Sequence, residues 1–207
     1  MNTQTSYDTV ASDYAARIAD ELKDKPLDRQ SLDRFAASVN GPVCDMGCGP
    51  GHVTCYLHER GVDVFGVDLS PGMLAQARRL NPDIRFEVGD MHALHLADAS
   101  LAGITAFYSL IHISKENMVA VLRELNRVLQ PNGLLFMAFH IGDETIHMQE
   151  WWGHMVEVDF HNFQPAEMEG YLAAAGFALE ETIVRPPYPE VEHQSHRAYI
   201  FVRKSHQ

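Results

Sequence analysis

The sequence is poor in cysteine and has no long hydrophobic run. Its three cysteines, Cys44, Cys48 and Cys55, form no CxxC pair, and an odd number of thiols cannot all be joined in disulfides. We therefore expect reduced thiols and a cytoplasmic protein. No apolar stretch approaches the ~18 residues of a membrane-spanning helix. The polar segment 1–10 also lacks the basic-then-apolar pattern of a signal peptide, so no membrane partner is expected.

Basic residues are few as well. The 16 lysines and arginines are outnumbered by 28 aspartates and glutamates, which leaves a formal net charge of −12. Nucleic acids and anionic membrane surfaces would repel most of such a chain. The charge therefore favours a small molecule over a nucleic acid as the binding partner. It leaves open whether the protein is a monomer or a homodimer.

Length and composition argue against several domains. The 207 residues correspond to about one domain at roughly 150 residues per domain. We find no internal repeat, no low-complexity tract and no linker rich in proline, glycine and serine. Residues 1–207 are thus expected to form a single domain.

Strand and helix patterns alternate through the middle of the chain. Apolar runs that predict strands cover residues 43–46, 62–67, 84–88, 101–107 and 134–139, and helical patterns separate most of them. The last run is continuously apolar, which is typical of a central strand covered on both faces. This alternation predicts an α/β fold, in which helices flank both sides of a parallel sheet.

The regions outside this alternation have a different character. Residues 1–40 predict two helices that form an N-terminal cap, and the alternating core occupies residues 41–140. Residues 141–164 form a polar, aromatic and irregular insertion, with a possible strand at 156–160. Residues 165–207 predict a helix followed by an antiparallel hairpin at the edge of the sheet.

A glycine-rich turn follows the first predicted strand. In Gly47-Cys48-Gly49-Pro50-Gly51 the third glycine comes one residue early for the dinucleotide fingerprint G-x-G-x-x-G. No Lys-Ser/Thr pair follows, which excludes a Walker phosphate loop. Asp45, two residues before the first glycine, would repel a pyrophosphate. It suits S-adenosylmethionine, which has no phosphate and carries a sulfonium and an ammonium.

The segment Asp45–Gly51 resembles the first motif of the class I S-adenosylmethionine-dependent methyltransferases. Residues 68–74 and 89–91 are similar to later motifs of that family, and residues 129–133 resemble its L-x-P-G-G turn. Asn132 replaces the first glycine of that turn, and asparagine tolerates left-handed backbone angles. The resemblance implies a single-domain Rossmann-like methyltransferase fold, a mostly parallel seven-stranded sheet with helices on both faces and an antiparallel C-terminal hairpin.

The resemblance also implies roles for individual residues. Asp68 would bind both ribose hydroxyls, because a carboxylate can accept two hydrogens at once. Asp90 would accept from the adenine amino group, Met73 would pack on the adenine, and Tyr14 would close over the methionine end. In full, the implied cofactor-binding residues are Tyr14, Asp45, Gly47, Cys48, Gly49, Asp68, Leu69, Met73, Asp90, Met91 and Phe107.

The methyl acceptor should lie beyond the carboxyl ends of the strands. His112 is the best candidate for a base or an orienting group, because an imidazole titrates near neutrality. His140 ends the fifth strand at the same edge, and Tyr108 follows the fourth; these three residues are the candidate catalytic residues. Trp151-Trp152, in the insertion 141–164, would form an aromatic wall of a substrate lid.

Four histidines recur every seven residues, at His140, His147, His154 and His161. This spacing would align them only on a continuous helix, and the glycines Gly142 and Gly153 argue against one. No HExxH motif occurs either. We therefore expect no metal site.

These observations predict transfer of a methyl group from S-adenosylmethionine to a small-molecule acceptor by in-line displacement, with S-adenosylhomocysteine as the product. A quinone- or acyl-carrier-type methyltransferase is an alternative within the same class. A nicotinamide-dependent oxidoreductase and a non-catalytic cofactor-binding protein are alternatives from other classes. The chemical class of the acceptor stays open.

Overall fold

The computed structural model describes residues 2–205, whose strands form one large sheet and one separate hairpin. The helices are α1 (Thr3–Ile18), α2 (Pro26–Ser38), α3 (His52–His58), α4 (Pro71–Leu80), α5 (Lys115–Val128) and α6 (Pro165–Ala174). The strands are β1 (Val43–Met46), β2 (Val64–Asp68), β3 (Phe86–Val88), β4 (Leu101–Phe107), β5 (Leu129–His140), β6 (Thr145–Trp151), β7 (His154–His161), β8 (Phe177–Arg185) and β9 (Arg197–Lys204). Short 3₁₀ helices lie at Glu21–Asp24 and Leu110–His112.

The large sheet has the strand order β3-β2-β1-β4-β5-β9-β8. Strands β1 to β5 are parallel, and β9 runs antiparallel to both β5 and β8. This arrangement confirms the predicted α/β fold, including the antiparallel C-terminal hairpin. The strand order reverses between β1 and β4. In open α/β sheets, ligands bind at such a point, outside the carboxyl ends of the strands.

Strand β5 shows how the sheet is covered on both faces. Leu135 and Met137 share a core cluster with Leu122 of α5, whereas Phe136 packs with Phe35 of α2 on the opposite face. Successive side chains of a strand point to opposite faces, so a continuously apolar strand needs a helical layer on each side. The prediction of a buried central strand is therefore confirmed.

Two local signals in the sequence are also confirmed. Ser70 caps α4: its Oγ accepts a hydrogen bond from the Met73 amide at 3.0 Å, and Pro71 is the first helical residue. Asn132 has a φ of +62°, the left-handed conformation that asparagine tolerates.

Residues 141–164 differ from the irregular insertion that we expected. They contain β6 and β7, which pair as an antiparallel hairpin. Val156 and Val158 of β7 are buried against Val10 and Ala11 of α1, whereas most of β6 is exposed. Ile146 and Met148 alternate with polar residues, but a bulge between Met148 and Glu150 interrupts this pattern, so the alternation is too short to identify the strand.

The turn of this hairpin explains why it was missed. Trp152 and Gly153 both have positive φ, +53° and +84°. Two-residue hairpin turns require this geometry and usually place asparagine, aspartate or glycine there. Because tryptophan is unusual at the first position, the sequence does not predict the turn.

Within residues 2–205, no helix is long and apolar enough to cross a membrane.

Candidate functional site

A cavity of about 770 Å³ lies at the carboxyl ends of the parallel strands. One side is formed by the loops that follow β1 to β5, and the other by α1, the β6–β7 hairpin and the segment 190–193. The predicted site residues that line it are Tyr14, Gly47, Cys48, Gly49, Asp68, Leu69, Asp90, Met91, Phe107, Tyr108, His112 and His140. The fold therefore brings most of the predicted residues to one place.

Gly47 lies where β1 passes into the glycine loop. Its φ is +71°, and a Cβ atom at this position would lie 2.3 Å from Ser109 Cβ. Any other residue would therefore clash with the segment that follows β4. The Ser109 hydroxyl is buried and has no hydrogen-bond partner among the described residues, although Ser109 lines the cavity. Glycine is therefore required at this position by the close approach of Ser109.

Asp68, at the end of β2, is fixed by main-chain amides. Its Oδ2 accepts from the Gly49 amide and its Oδ1 from the Ser70 amide, each at 2.8 Å. Burial raises the pKa of this carboxyl to about 6, although the two amide bonds oppose the rise. A carboxylate has about four lone-pair sites, so Asp68 can still accept hydrogen bonds from a ligand.

Asp90 follows β3 at the far end of the cavity. Its Oδ1 accepts from the His92 amide at 2.9 Å and lies 2.7 Å from His92 Nδ1. Burial opposes ionisation of Asp90, but these contacts outweigh it and lower its pKa. The cavity thus has acidic side chains at the ends of two neighbouring strands.

Two predicted cofactor-binding residues lie outside the cavity wall. Asp45 is buried beneath the glycine loop, where its two oxygens accept from the hydroxyls of Thr54 and Thr105 at 2.6 and 2.9 Å. Burial raises its pKa, and the threonine hydrogen bonds oppose that rise. Asp45 thus lies behind the cavity wall, where it holds β1, α3 and β4 together.

Met73 also lies behind the cavity wall. It is 1% exposed and packs with Val10 and Ala11 of α1. The reason is a contact that sequence reasoning did not foresee. Asp8 of α1 accepts from the Ser70 hydroxyl at 2.6 Å and from the Gly72 amide at 2.7 Å, which fixes α1 across the start of α4. Helix α1 therefore covers Met73.

Aromatic rings form the wall that faces the sheet. The ring of Trp151 lies 5.5 Å from Tyr7 and 5.6 Å from Tyr14, in edge-to-face geometry, and 5.5 Å from Phe160. Helix α1 and the hairpin are also joined through Ser6, whose hydroxyl donates to the Glu157 carbonyl at 3.0 Å and accepts from the Glu157 amide at 2.9 Å. Besides Trp151, the aromatic wall therefore includes Tyr7 and Tyr14 of α1.

His112 lies between this wall and the sheet. Its Nδ1 is 2.8 Å from the Asp159 carbonyl, and its Nε2 is 2.7 Å from the Tyr7 hydroxyl. A carbonyl can only accept, so Nδ1 carries the hydrogen of the neutral imidazole, and Nε2 accepts from Tyr7. Burial lowers the pKa of His112 to about 4, which keeps the ring neutral at physiological pH.

Tyr108 and His140 lie side by side at the ends of β4 and β5. Their ring centroids are 5.0 Å apart, and Tyr108 has an unusual φ of +53°. His140 Nδ1 is 2.8 Å from the Ser195 hydroxyl. Burial, and then the positive charge of Arg197, lower the pKa of His140 to about 3. Both predicted histidines are thus neutral.

The structure adds a charged group that sequence reasoning missed. Glu21 and Lys25 form a 2.7 Å ion pair, and His52 Nε2 lies 2.7 Å from the other oxygen of Glu21. All three residues line the cavity. The sequence does not predict that these residues line a cavity, because glutamate and lysine four residues apart usually form a pair on a helix surface.

The heptad-spaced histidines are dispersed by the hairpin. His147 pairs with Asp159, His154 with Asp13, and His161 with the Thr145 hydroxyl. Among residues 2–205, no three histidine, cysteine, aspartate or glutamate side chains are grouped so that they could hold a metal ion.

Comparisons with known proteins agree with this geometry. Residues 43–133 match the family model of a methyltransferase domain. A demethylmenaquinone methyltransferase of Beutenbergia cavernae is 37% identical over 110 residues, which are 53% of this chain and 45% of the relative. A malonyl-[acyl-carrier protein] O-methyltransferase of Halorhodospira halophila is 34% identical over 149 residues, 69% of this chain and 48% of the relative. The chain spans about half the length of these curated relatives.

The fold also occurs in solved structures. A SAM-dependent methyltransferase of Methanosarcina mazei superposes with a TM-score of 0.73 at 16% identity, over 81% of this chain and 94% of the other. At this identity the likeness concerns the fold alone.

Proposed function

We propose that the chain is a class I S-adenosylmethionine-dependent methyltransferase, whose cofactor is S-adenosylmethionine, and that it methylates a small-molecule acceptor. One observation carries this proposal. Asp68, whose carboxylate accepts from the Gly49 and Ser70 amides, lines a cavity that continues to an aromatic wall. The cavity thus combines a site for a nucleoside with space for a second molecule.

The residues of the sheet edge fit the cofactor. Asp68 would accept from the ribose hydroxyls, and Asp90 and Met91 would hold the adenine end. Nothing lies within 4 Å of a Cβ atom placed on Gly49, which leaves room for a ligand beside the loop, and the buried Ser109 hydroxyl has no partner among the described residues. When bound, S-adenosylmethionine supplies a methyl group that the acceptor takes by displacement at the methyl carbon, leaving S-adenosylhomocysteine.

The opposite wall would bind the acceptor. Tyr7, Trp151 and Phe160 are apolar surfaces in edge-to-face contact, and such rings favour a flat, apolar partner. Helix α1 and the hairpin would together act as a lid that excludes water. Of the reactions named for the relatives, methylation of a quinone-type ring suits this wall better than methylation of an acyl-carrier carboxylate.

Proton transfer from a protic acceptor would pass through Tyr7 and His112. Tyr7 lines the cavity, and its hydrogen already points to His112 Nε2. The acceptor would give its proton to the Tyr7 oxygen while Tyr7 passes its own to Nε2. His112 would then carry a positive charge, with Nδ1 still donating to the Asp159 carbonyl, and because burial lowers its pKa to about 4 it would hold the proton only until the proton returns through Tyr7 as the product leaves. His112 would thus act through Tyr7.

Calorimetric titration tests the cofactor, and an acceptor screen tests the reaction. We expect S-adenosylmethionine and S-adenosylhomocysteine to bind and NADH not to bind. Thiols, amines, carboxylates, phenols and quinols would then be screened by formation of S-adenosylhomocysteine. Binding of NADH alone would contradict the proposal, and so would failure of both adenosyl ligands to bind.

A further inference from the structure

A line of hydrogen bonds connects the cavity wall with the buried core behind it. Tyr108 lines the cavity, whereas Tyr199 of β9 and Asp28 of α2 are fully buried. The hydroxyl of Tyr108 lies 3.4 Å from the hydroxyl of Tyr199, which in turn lies 2.6 Å from Asp28 Oδ1. A carboxylate in the core is therefore connected to the cavity through two phenols.

The last member of this line fixes the direction of its hydrogen bonds. A carboxylate only accepts, so Tyr199 donates its hydrogen to Asp28. Arg185 Nε donates to the Tyr199 oxygen at 2.8 Å, and Arg185 Nη2 donates to Asp28 Oδ1 at 2.9 Å. Tyr199 therefore has no hydrogen left for Tyr108, and only Tyr108 can donate between the two hydroxyls.

Tyr108 is held in this position by its backbone and by neighbouring rings. Its φ of +53° is unusual for a bulky residue, and such a conformation persists only where the surrounding structure fixes it. The rings of Phe107 and His140 pack against it, with centroids at 5.2 and 5.0 Å. Burial, and then the negative charge of Asp28, raise the pKa of Tyr108, so its hydroxyl stays protonated. Its hydrogen is directed to Tyr199, and its oxygen can still accept a hydrogen bond.

The charged groups around Tyr108 compensate one another. Three cations and three carboxylates are paired there: Arg185 with Asp28 and Glu192, Arg197 with Glu192, and Lys25 with Glu21 and Glu192. Lys25 Nζ, which lies 6.0 Å from the Tyr108 ring, is 2.7 Å from Glu21 and 3.6 Å from Glu192. Because these six formal charges cancel, they provide no excess positive charge for an anionic acceptor.

We propose that the Tyr108 oxygen accepts a hydrogen bond from the methyl acceptor. Tyr199 and Asp28 are the positioning residues, because they keep the Tyr108 hydrogen directed away from the cavity. This inference rests on the proposed function and specifies the acceptor further. The acceptor would be a ring with a hydroxyl or amino group that donates, since a carboxylate or an ether would meet only lone pairs at Tyr108. The contact orients the acceptor and takes no proton from it.

Three naphthalene probes test this polarity by calorimetric titration of the protein with S-adenosylhomocysteine bound. 2-Naphthol can donate a hydrogen, 2-methoxynaphthalene can only accept, and 2-naphthoate is an anion that can only accept. We expect the wild-type protein to bind 2-naphthol about fivefold more tightly than either of the other two, the size expected for one neutral hydrogen bond.

Variants of the two tyrosines should abolish this preference. Tyr108→Phe removes the accepting oxygen, and Tyr199→Phe leaves the Tyr108 hydrogen free to turn into the cavity. In each variant the preference for 2-naphthol over 2-methoxynaphthalene should fall below about twofold. Asp28→Asn keeps an oxygen that can accept from Tyr199 and Arg185, so the wild-type preference should be retained.

Tyr56→Phe is the matched control. The Tyr56 hydroxyl also lies 3.0 Å from an aspartate, Asp33, but Tyr56 does not line the cavity of about 770 Å³. This variant should keep the wild-type preference among the three probes. An affinity for S-adenosylhomocysteine equal to that of the wild type shows that each variant is folded.

The inference would be overturned if 2-methoxynaphthalene or 2-naphthoate bound the wild-type protein as tightly as 2-naphthol, or if none of the three bound. It would also be overturned if the preference survived in Tyr108→Phe and Tyr199→Phe, or was lost in Asp28→Asn. If S-adenosylhomocysteine itself did not bind, the proposed function would fail. If it bound and the probes did not discriminate, only the inference about Tyr108 would fail.

Discussion

Backbone amides hold Asp68 on one side of the cavity, whereas side chains from distant segments build the opposite wall. Asp68 accepts from amides only two and 19 residues away. Tyr7 and His112 are 105 residues apart, and Ser6 and Glu157 are 151 apart. A site made by the main chain tolerates change in neighbouring side chains. A wall made by side-chain contacts can change with single substitutions, so we expect specificity for the acceptor to vary independently of cofactor binding.

The largest expected effect is the loss of ligand affinity on substitution of Asp68, the carboxylate held by backbone amides. Asp68→Ala removes a carboxylate that would accept from two hydroxyls, each charged hydrogen bond being worth about 1.5–3 kcal/mol. We expect S-adenosylhomocysteine to bind on the order of a hundredfold more weakly in calorimetric titration. Asp83→Ala, which removes an exposed acid near β3, is the matched control and should bind normally. An unchanged affinity in Asp68→Ala would mean that the ribose site has been misassigned.

A substitution in the aromatic wall should lower turnover of the acceptor and leave nucleoside binding almost unchanged. Trp151→Ala removes edge contacts with Tyr7 and Tyr14, each worth about 0.5–1.5 kcal/mol beyond buried area. With an acceptor from the screen, we expect kcat/KM to fall at least about tenfold. The affinity for 5′-methylthioadenosine should change less than about threefold. Met155→Ala, at a hairpin residue that is 68% exposed, serves as the control. Equal losses for acceptor and nucleoside would show that the two halves are not independent.

A pH titration sharpens the comparison at Asp68. Burial raises the pKa of this carboxyl to about 6 in the unliganded protein, and hydroxyl donors favour the ionised form. Affinity for S-adenosylhomocysteine should therefore fall about tenfold between pH 7 and pH 5. The weaker binding of Asp68→Asn should vary little over this range. A wild-type affinity that is flat with pH would contradict the role of the ionised carboxylate.

The smallest expected effect concerns stability. The pKa of His112 is about 4 in the folded protein, because burial lowers it, whereas an unfolded imidazole titrates near 6.5. The unfolded state therefore binds more protons between these values, and this part of the stability is lost as the pH falls. His112 should contribute about 1 kcal/mol to the decrease in unfolding free energy between pH 7 and pH 5.5.

Urea denaturation at both pH values measures this contribution. His112→Gln should lose about 1 kcal/mol less than the wild-type protein, and His58→Gln, at an exposed histidine, should behave like the wild type. An identical pH dependence in all three proteins would show that the fold does not hold His112 neutral.

The comparison of the two halves also explains what could be predicted from the sequence. The glycine loop, Asp68 and the Ser70 cap depend on residues close together in the chain, so their patterns identify them. For Asp45 the pattern gives the strand end but not the side of the strand that the carboxylate faces. The hydroxyls of Thr54 and Thr105 donate to the Asp45 carboxylate and hold it beneath the loop.

The positions of Met73 and Glu21 depend on contacts between residues far apart in the sequence. Nothing near Met73 in the sequence indicates that α1 covers it, because Asp8, which fixes α1 there, lies 62 residues from Ser70. The position of Glu21 deep in the cavity depends in the same way on His52, which belongs to another helix. Such contacts are set by the tertiary structure, and no period or spacing within one segment reports them.

The hydroxyl of Ser6 has a consequence for the order in which the chain acquires its structure during synthesis. Glu157, which it joins, is made 151 residues later. At about 5–20 residues per second, α1 waits roughly 8–30 s on the ribosome before β7 can cover Val10 and Ala11. All five parallel strands emerge during that interval. The nascent protein therefore has the means to assemble the loops after β1, β2 and β3 before the β6–β7 hairpin closes the cavity.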